Sequence, residues 1–542
     1  MATVIVNNQP VDIGNERLNL IQAAEKAGVF IPRYCWHPAL SVVASCRMCL
    51  VEVGDKKPDG SVAMQPRVVP ACQTPAKDGT VILTNSDKAK AAQQQTLESL
   101  LLNHPLDCPV CDKAGECMLQ DFSYRFGRST SRMIDDKNTP PNKPELGPHI
   151  SLFTDRCIMC SRCVRFTREI SGTAELGVFS RGHHSEIDVF PGQPIDNKLA
   201  GNVVDLCPVG ALCSKDFLYK QRVWFLKSQK SVCPDCSTGC SIWVDHNKDI
   251  VYRLRPRENP LAQGHFMCDE GRFDTAYIND RGRIELPARS ASEPWETLLP
   301  ALRERLTEAG QRGPIGAVLS PFLTCEEAFL LAKLMKSQSA DARLYRGWVP
   351  VVGQDDVYPK DSNGQPAGAV KFTIRAEKCP NRRGVEAILA HYDGQVRLFD
   401  QAAQDAGQLQ ALYVTGGYPP RFGPWPGEKA VAALRKIPLL AVQDMMPSPL
   451  TAAARFVLPA ASFAEKDGTF VNHANLAQAI HWAVRPAHRS RTDGQIFLDL
   501  LGRRGLLSAS AIRKEMAAEI PFFAPLASGD LGEHGVWLGN QP

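Results

Sequence analysis

The distribution of cysteines is the strongest constraint on what this chain can fold into. Fifteen of its 18 cysteines lie in the first half of the sequence, in four groups of close spacing. With one histidine, the groups are Cys35, Cys46, Cys49 and Cys72; His104, Cys108, Cys111 and Cys117; Cys157, Cys160, Cys163 and Cys207; and Cys233, Cys236, Cys240 and Cys268. Each spacing is typical of an iron–sulfur site. A chain with four such sites is most simply interpreted as a conductor of single electrons, which need not hold a substrate.

Composition limits the class of protein. A chain of 542 residues is too long for one hydrophobic core, so we expect several domains. Its 44% hydrophobic and 22% charged residues are ordinary for a soluble protein, and it has no run of 18 or more apolar residues to predict a membrane-spanning helix. The net charge of +4 is small for this length, so we predict no nucleic-acid partner.

The sequence favours metal sites over disulfides. The N-terminus opens into a strand-like stretch at residues 3–6 and lacks the regions of a secretory signal, so we expect a reducing, cytoplasmic location. In that setting these spacings indicate metal. Basic residues gather near the cysteines; we expect most on solvated surface, although positive charge beside an anionic cluster would favour its reduced state. They are Arg33, Arg47, Arg156, Arg162, Arg165 and Arg168.

Local patterns predict how the elements are arranged. Residues 1 to about 80 predict a small sheet with one helix, in which residues 7–10 form a hairpin turn. A helix is predicted over 86–104, capped by Ser86 and ended by Pro105, so that His104 lies at its end. Residues 136–148 predict a linker. After about residue 284, helices at 300–308, 326–338 and 428–436 alternate with strands at 315–319, 411–414 and 439–442, which indicates a mostly parallel sheet.

The first group has the spacing C-x10-C-x2-C-x22-C. Three thiolates on one loop and a fourth from a distant strand suit a two-iron cluster. The stretch from Ser45 to Glu52 resembles the binding loop of the ferredoxin-like domain of respiratory dehydrogenases. Zinc would use the same four thiolates and stays the alternative.

The second group joins a histidine to three cysteines, with the spacing H-x3-C-x2-C-x5-C. Most histidines are surface or satisfied core residues, so the neighbourhood decides. The stretch from His104 through Asp121 matches the histidine–cysteine cluster of complex I and related hydrogenase subunits. The resemblance implies that His104 ligates a 4Fe–4S cluster, and an imidazole in place of a thiolate removes one negative charge.

The third group is the most specific of the four. Cys157, Cys160 and Cys163 follow the C-x2-C-x2-C rule of a 4Fe–4S cluster, and Cys207, followed by proline, supplies the remote fourth ligand. Disulfide pairing cannot explain three evenly spaced cysteines. Cys213 is predicted as a buried helix residue and not as a ligand, because the site is already full.

The fourth group, C-x2-C-x3-C-x27-C, resembles the N-terminal 4Fe–4S cluster of molybdenum oxidoreductases such as formate dehydrogenases, with zinc as an alternative. Residues 457–469 resemble a segment of molybdopterin-binding enzymes. Glu270 stands where that family has a lysine, and residues 474–476 replace its Glu-Gly-Arg. Cys325 and Cys379 lack the flanking residues of a molybdenum ligand. We therefore expect a scaffold without molybdopterin, and no G-x-G-x-x-G turn or P-loop predicts a nucleotide site.

In this order and spacing, the four sites resemble the large iron–sulfur subunit family of NADH:quinone oxidoreductase, complex I, of the bacterial type. The resemblance implies one 2Fe–2S and three 4Fe–4S clusters, with electrons passing from a flavin subunit to the Cys35, Cys157 and His104 clusters in turn. It also implies a hetero-oligomer with flavin-bearing and further iron–sulfur subunits, peripheral on the cytoplasmic side of the inner membrane and touching the membrane only through partners. Proton translocation belongs to the whole assembly, and this chain alone has no catalytic residues or complete substrate site. The alternatives are an electron-transfer subunit of a soluble NAD-linked hydrogenase or formate dehydrogenase, and, least favoured, a zinc-stapled interaction scaffold.

The predicted fold class is multidomain α+β. A β-grasp ferredoxin-like domain precedes small cysteine-rich 4Fe–4S domains and an α/β domain resembling a cofactor-free molybdopterin oxidoreductase. The predicted boundaries are 1–80 (2Fe–2S), 81–145 (helical His–Cys 4Fe–4S), 146–225 (4Fe–4S), 226–283 (molybdenum-enzyme-type 4Fe–4S), 284–508 (degenerate molybdopterin-type α/β) and 509–542 (extended C-terminal tail).

Overall fold

The computed structural model describes residues 2–289, 291–423 and 425–539 and divides the chain into two units. The first unit comprises Met1–Phe225 and Tyr358–Ala369, and the second Leu226–Val357 and Val370–Pro542. The first three cysteine groups therefore belong to the first unit and the fourth group to the second. The finer division into six segments stays a prediction, and its outermost residues, 1 and 540–542, lie outside the described part of the chain.

The first unit begins with the predicted hairpin. Ala2–Val6 and Gln9–Gly14 pair antiparallel around Asn7 and Asn8, whose positive φ values are those of a tight hairpin turn. Gln9 and Pro10, predicted in the turn, already belong to the second strand. The Leu20–Lys26 helix buries Leu20, Ile21, Ala23 and Ala24 beside the sheet. The other strands of this six-stranded sheet are Leu50–Lys56, Val62–Met64, Val69–Pro70 and Thr80–Leu83.

The predicted helix over 86–104 spans Asp87–Leu101. The Ser86 hydroxyl accepts from the Ala89 N–H at 3.2 Å, as its capping role predicts. The helix ends earlier than expected because Lys137 donates to the last carbonyls, those of Leu101 at 2.9 Å and Leu102 at 2.7 Å. His104 consequently lies in the following loop and not at the helix end.

Short elements complete the first unit. The remaining helices are Met118–Phe126, Arg162–Glu169 and Asn202–Leu206. Two antiparallel pairs join Ile150–Leu152 to Leu212–Ser214 and Leu176–Phe179 to Glu186–Val189. Elements this short cannot bury a core of their own, so packing around the cysteine loops has to contribute to their stability.

The second unit is built on an eight-stranded sheet. Its central strands are parallel, in the order Phe456–Pro459, Leu439–Asp444, Ala411–Thr415, Ile315–Leu319, Arg343–Arg346 and Arg397–Leu398, with Ala288–Arg289 and Ala291–Ser292 added antiparallel at one edge. The strands predicted at 315–319, 411–414 and 439–442 are confirmed. The helices are Asp269–Phe273, Trp295–Arg312, Cys325–Gln338, Arg382–Asp393, Phe399–Gln404, Glu428–Leu434, Pro449–Ala453, Asp493–Leu500 and Ala509–Glu519.

Smaller sheets accompany this framework. Lys227–Val232, Ser241–Asn247 and Ile250–Pro256 form an antiparallel meander next to the fourth cysteine group in sequence. Gly468–Val471, Leu476–Ile480 and Val536–Trp537 form a second antiparallel sheet. The loop predicted over 350–370 contains the short strand Asp356–Tyr358, and a further strand follows at Phe372–Ile374.

The expectation of an extended tail after residue 508 is wrong. Ile512, Met516, Phe523 and Leu526 are buried in the main core of the second unit, and Val536–Trp537 adds a strand to a sheet. The Arg513 guanidinium is buried as well and donates to a Glu326 carboxylate oxygen at 3.0 Å. The apolar residues are divided among a helix, a 3-10 turn and a two-residue strand, so no single period reveals them.

Truncating the core of this last segment is therefore expected to destabilise the second unit. Phe523→Ala removes a fully buried ring and is expected to cost about 3–5 kcal/mol, seen as a lower midpoint of thermal unfolding. Leu506→Ala, at a side chain 92% exposed, is the matched control and leaves the midpoint nearly unchanged. Equal midpoints for the two variants would contradict the packing described here.

Candidate iron–sulfur sites

Strand pairing brings the first group together. Leu50–Lys56 pairs with Val69–Pro70, and the Ala71 N–H donates to the Cys49 carbonyl at 2.9 Å, so Cys72 returns to the loop that carries Cys49. The Cys35 N–H donates to the Cys46 sulfur at 3.4 Å. Cys35, Cys49 and Cys72 are each 1% exposed, and Cys46 is half-buried. The structure thus gathers all four predicted residues.

The sulfur atoms of the first group form a connected set. The thiols of Cys46 and Cys72 donate to the Cys35 sulfur, which lowers the pKa of Cys35 and raises those of its two donors. The Cys72 thiol also donates to Cys49 and lowers its pKa. Cys35 with Cys46, and Cys49 with Cys72, are therefore adjacent pairs. A two-iron cluster needs two thiolates at each iron, and this pairing fits that requirement.

The second group is gathered by turns, and its histidine carries an unpaired nitrogen. Cys111 and Cys117 are buried, Cys108 is half-buried, and the Asp107 carbonyl accepts from the Cys111 N–H at 2.9 Å. His104 Nδ1 is buried without a hydrogen-bond partner. Burial lowers the pKa of His104 to about 4, so the imidazole is neutral at neutral pH and able to ligate a metal. A buried nitrogen with no other partner fits the role of a metal ligand.

The third group lines one pocket. Cys157, Cys160, Cys163 and Cys207 all face it, together with apolar residues that include Ile158 and Leu212. Burial raises the pKa of Cys157 to about 12 and that of Cys160 to about 11. Such thiols need a strong positive partner before they exist as thiolates, and iron supplies one.

Cys213 lies close to two groups without belonging to either. It is buried on the Leu212–Ser214 strand, so its predicted place on a helix is wrong. Its thiol donates to the Gly210 carbonyl at 3.6 Å. Burial, with smaller contributions from Cys207 and Cys111, raises the pKa of Cys213 to about 12.

The fourth group is fully enclosed within the second unit. The Cys233 N–H donates to the Cys240 carbonyl at 2.9 Å, and Cys268 caps the Asp269–Phe273 helix by accepting from the Gly271 N–H at 3.4 Å. A Cβ added to Gly271 would lie 2.7 Å from the Cys233 sulfur and 3.6 Å from the Cys268 sulfur. Glycine is therefore required where these two sulfurs meet. Cys236 is buried in the same loop.

Ion pairs surround the fourth group. Asp235 lies between its first two cysteines and pairs with Arg421. Glu270 follows Cys268 and contacts Arg421 at 3.1 Å and also the Lys378 ammonium. The acidic residue found where molybdenum enzymes have a lysine is thus neutralised by cations from elsewhere in this unit.

The spacing of the sulfur atoms bears on zinc. A tetrahedral zinc with bonds of about 2.3 Å holds its sulfurs about 3.8 Å apart. Within the described part of the chain, the one set of three or more potential ligand atoms that all lie within 4.8 Å of one another is Asp235, Cys268 and Glu270. None of the four predicted ligand sets is that tight, and wider sets fit multinuclear clusters.

The edge of the parallel sheet is filled by the chain's own side chains. Ligands of open α/β sheets bind beyond the carboxyl ends of the strands. There Phe322 and Tyr418 are buried, with ring centroids 5.0 Å apart, and Trp425 lies 4.5 Å from Tyr418. The residues present do not fit a pterin dinucleotide at this edge.

Left-handed backbone marks two of the cysteine loops. Ala44 and Arg47 in the first group, and Met159 and Ser161 in the third, are non-glycine residues with φ between +50° and +57°. Such conformations cost about 1–3 kcal/mol each and persist where surrounding structure compensates for them. No sequence pattern announced this strain, because none of the four residues is the glycine or asparagine that usually adopts it.

Closing the space beside Cys111 is expected to release metal. A Cβ at Gly210 would lie 2.3 Å from the Cys111 sulfur, so Gly210→Ala displaces that thiol and lowers the iron and acid-labile sulfide bound per chain. Gly407→Ala is the control, since its added Cβ meets nothing within 4 Å. Unchanged iron in Gly210→Ala would show that Cys111 is not a ligand.

Family models match five stretches of the chain. They are the 2Fe-2S iron-sulfur cluster binding domain (residues 1–87), the NADH-ubiquinone oxidoreductase-G iron-sulfur binding region (93–132), the ferredoxin-like domain of NADH-quinone oxidoreductase subunit 3 (147–213), the molybdopterin oxidoreductase Fe4S4 domain (226–280) and molybdopterin oxidoreductase (394–503). They confirm the predicted fold class.

A solved structure, the NAD+-reducing [NiFe]-hydrogenase in the H2-reduced state, matches at 27% identity over 41% of this chain and 91% of that chain, with a TM-score of 0.36. A likeness at that score carries no conclusion. Among the described residues, no helix is both long and apolar enough to cross a bilayer.

Curated relatives agree in name. The NADH-quinone oxidoreductase-G protein of Rickettsia bellii is 35% identical over 316 residues, which is 56% of this chain and 44% of that protein. The mitochondrial NADH dehydrogenase [ubiquinone] iron-sulfur protein 1 of Solanum tuberosum is 42% identical over 50% of this chain and 35% of its own length. The aligned part spans less than half of each relative. The resemblance predicted from the cysteine groups is confirmed: the chain is homologous to NADH-quinone oxidoreductase-G, the large iron–sulfur subunit of complex I.

Proposed function

We propose that this chain is the electron-transfer subunit of an NADH:quinone oxidoreductase. The observation that carries the proposal is that three cysteine groups lie in one unit and are joined through buried contacts. Arg162 donates to the carbonyls of Trp36, next to Cys35, and of Leu206, next to Cys207. The Met118 N–H, next to Cys117, donates to the Pro208 carbonyl at 3.0 Å. The first group thus touches the third, and the third touches the second.

The ligands that we propose are the sixteen residues of the four groups. A 2Fe–2S cluster is held by Cys35, Cys46, Cys49 and Cys72. Three 4Fe–4S clusters are held by His104, Cys108, Cys111 and Cys117; by Cys157, Cys160, Cys163 and Cys207; and by Cys233, Cys236, Cys240 and Cys268. Bound clusters accept and release single electrons, while the chain sets their potentials through ligand type, burial and hydrogen bonds.

The succession of contacts supports the order first, third, second along the first unit. The fourth group belongs to the other unit. We therefore propose that it lies off the route and serves folding and assembly. No molybdopterin is expected, since the sheet edge is filled.

The partners that we propose are a flavin-bearing subunit that oxidises NADH and further iron–sulfur subunits leading toward quinone. Proton translocation belongs to the whole assembly, placed peripherally on the cytoplasmic side of the inner membrane. Co-purification with membrane subunits and quinone-dependent NADH oxidation would support this. Co-purification with a hydrogenase subunit instead would contradict it.

Removing the predicted histidine ligand tests the second site. His104→Ala is expected to alter one EPR signal of the reduced chain and leave the others in place, because only one cluster loses a ligand. His104→Cys restores a ligating atom and is expected to recover a 4Fe–4S signal. The exposed His183→Ala is the control. Spectra of His104→Ala that match the control would refute ligation by His104.

Removing a ligand of the fourth site is expected to weaken the second unit. Cys268→Ala breaks a metal-closed loop and is expected to lower the thermal midpoint of this unit much more than Cys379→Ala, which empties an equally buried position outside the four groups. Electron transfer along the first unit is expected to continue. Normal stability with blocked transfer would reverse the role proposed for this cluster.

A further inference from the structure

Three arginines of the first unit are buried beside the cysteine groups. The sequence predicted most of the nearby basic residues on solvated surface, yet Arg156 is 5% exposed and Arg162 and Arg165 are each 7% exposed. A guanidinium stays charged even when buried, because its pKa is above 12. Burying three cations is costly unless anionic groups face them.

Arg162 lies between the first and third groups. Its Nη2 donates to the Trp36 carbonyl at 2.7 Å, and its Nη1 donates to the Leu206 carbonyl at 3.2 Å. Burial lowers its pKa, and this is opposed by thiols of both groups, Cys160 and Cys207 on one side and Cys46 and Cys35 on the other. Its Nε is buried without a hydrogen-bond partner.

Arg165 repeats this bridge one turn later along the Arg162–Glu169 helix. It donates to the carbonyls of Ser41 and Cys35 on the side of the first group and contacts the Cys160 carbonyl at 3.4 Å on the other. Two guanidinium groups therefore occupy the space between these two sets of thiols.

Arg156 holds the corresponding place beside the second group. Its Nε donates to Asp107 at 2.9 Å, and its guanidinium lies 4.0 Å from the centroid of the Phe153 ring. Burial opposes its charge, but Cys111, Asp107 and Cys213 more than compensate and raise its pKa. Asp107 offsets part of this charge, so the argument is strongest for Arg162 and Arg165.

We propose that Arg162 and Arg165 are positioning residues whose charge is shared by the first and third clusters and raises both reduction potentials together. The proposal rests on the proposed function. Reduction adds a negative charge to a cluster, and a cation nearby in a medium of low dielectric constant stabilises the reduced form. Because one guanidinium faces both clusters, it shifts the two potentials in the same direction and keeps their difference small. The backbone contacts also fix the separation across which an electron passes.

The test is a redox titration of the full chain with its clusters, followed by EPR. Arg162→Gln is expected to lower the midpoint potentials of the first and third clusters, each by roughly a tenfold change in the reduction equilibrium, or about 59 mV for one electron. The second cluster is expected to keep its potential. Arg162→Lys retains the charge and is expected to stay near the wild type, and the exposed Arg168→Gln is the matched control on the same helix.

The outcomes separate the proposals. Absence of cluster signals in the wild-type chain defeats the proposed function itself. Intact signals with unchanged potentials in Arg162→Gln, or a shift of only one cluster, overturn the shared-charge inference and leave the function standing. If Arg162→Gln loses its clusters, Arg165→Gln is titrated with the same expectation. Loss of clusters in both variants overturns the inference in favour of a purely structural role.

Discussion

The closing of each cysteine loop by a residue distant in sequence is the constraint on which the rest of this structure depends. Cys72 returns to the loop of Cys49, Cys207 to the pocket of Cys157, and Cys268 to the Gly271 turn beside Cys233. Burial raises the pKa values of the thiols in the third and fourth groups, so these sulfurs resist ionisation on their own. A metal that binds thiolates reverses this cost, and its binding energy then becomes folding energy.

Charge is arranged to match that demand in both units. In the first, buried guanidinium groups face the thiols and tie neighbouring loops through backbone carbonyls. In the second, Arg421 and Lys378 neutralise Asp235 and Glu270 around the fourth group. The same cations that hold the loops in place also act on the electrostatics of the sites. Stability and redox behaviour are thus properties of the same contacts, and a substitution at either place is expected to affect both.

Much of this could be predicted from sequence because its signals are local. The hairpin at Asn7, the Ser86 cap and the parallel strands such as Ile315–Leu319 follow from turn chemistry and periodicity. The cysteine groups followed from spacing, and the structure gathers the first, third and fourth around common points. In the second group, His104 shares Asp107 and Arg156 as neighbours with Cys111.

What could not be predicted depends on tertiary contacts. The core position of Phe523 belongs to elements too short to show a period, and Cys213 sits on a three-residue strand that its sequence does not distinguish from a helix. The burial of Arg162 cannot be seen in a pattern, since an arginine between two cysteine loops has the same local sequence as one on the surface. The early end of the helix before His104 results from Lys137, which lies 33 residues after that histidine in the chain.

The most direct test of the central claim is a count of iron, acid-labile sulfide and zinc in the full chain isolated without oxygen. Iron bonded through these thiolates and one imidazole predicts iron and sulfide in equal amounts, with zinc at background. Stoichiometric zinc, with neither iron nor sulfide, would contradict it.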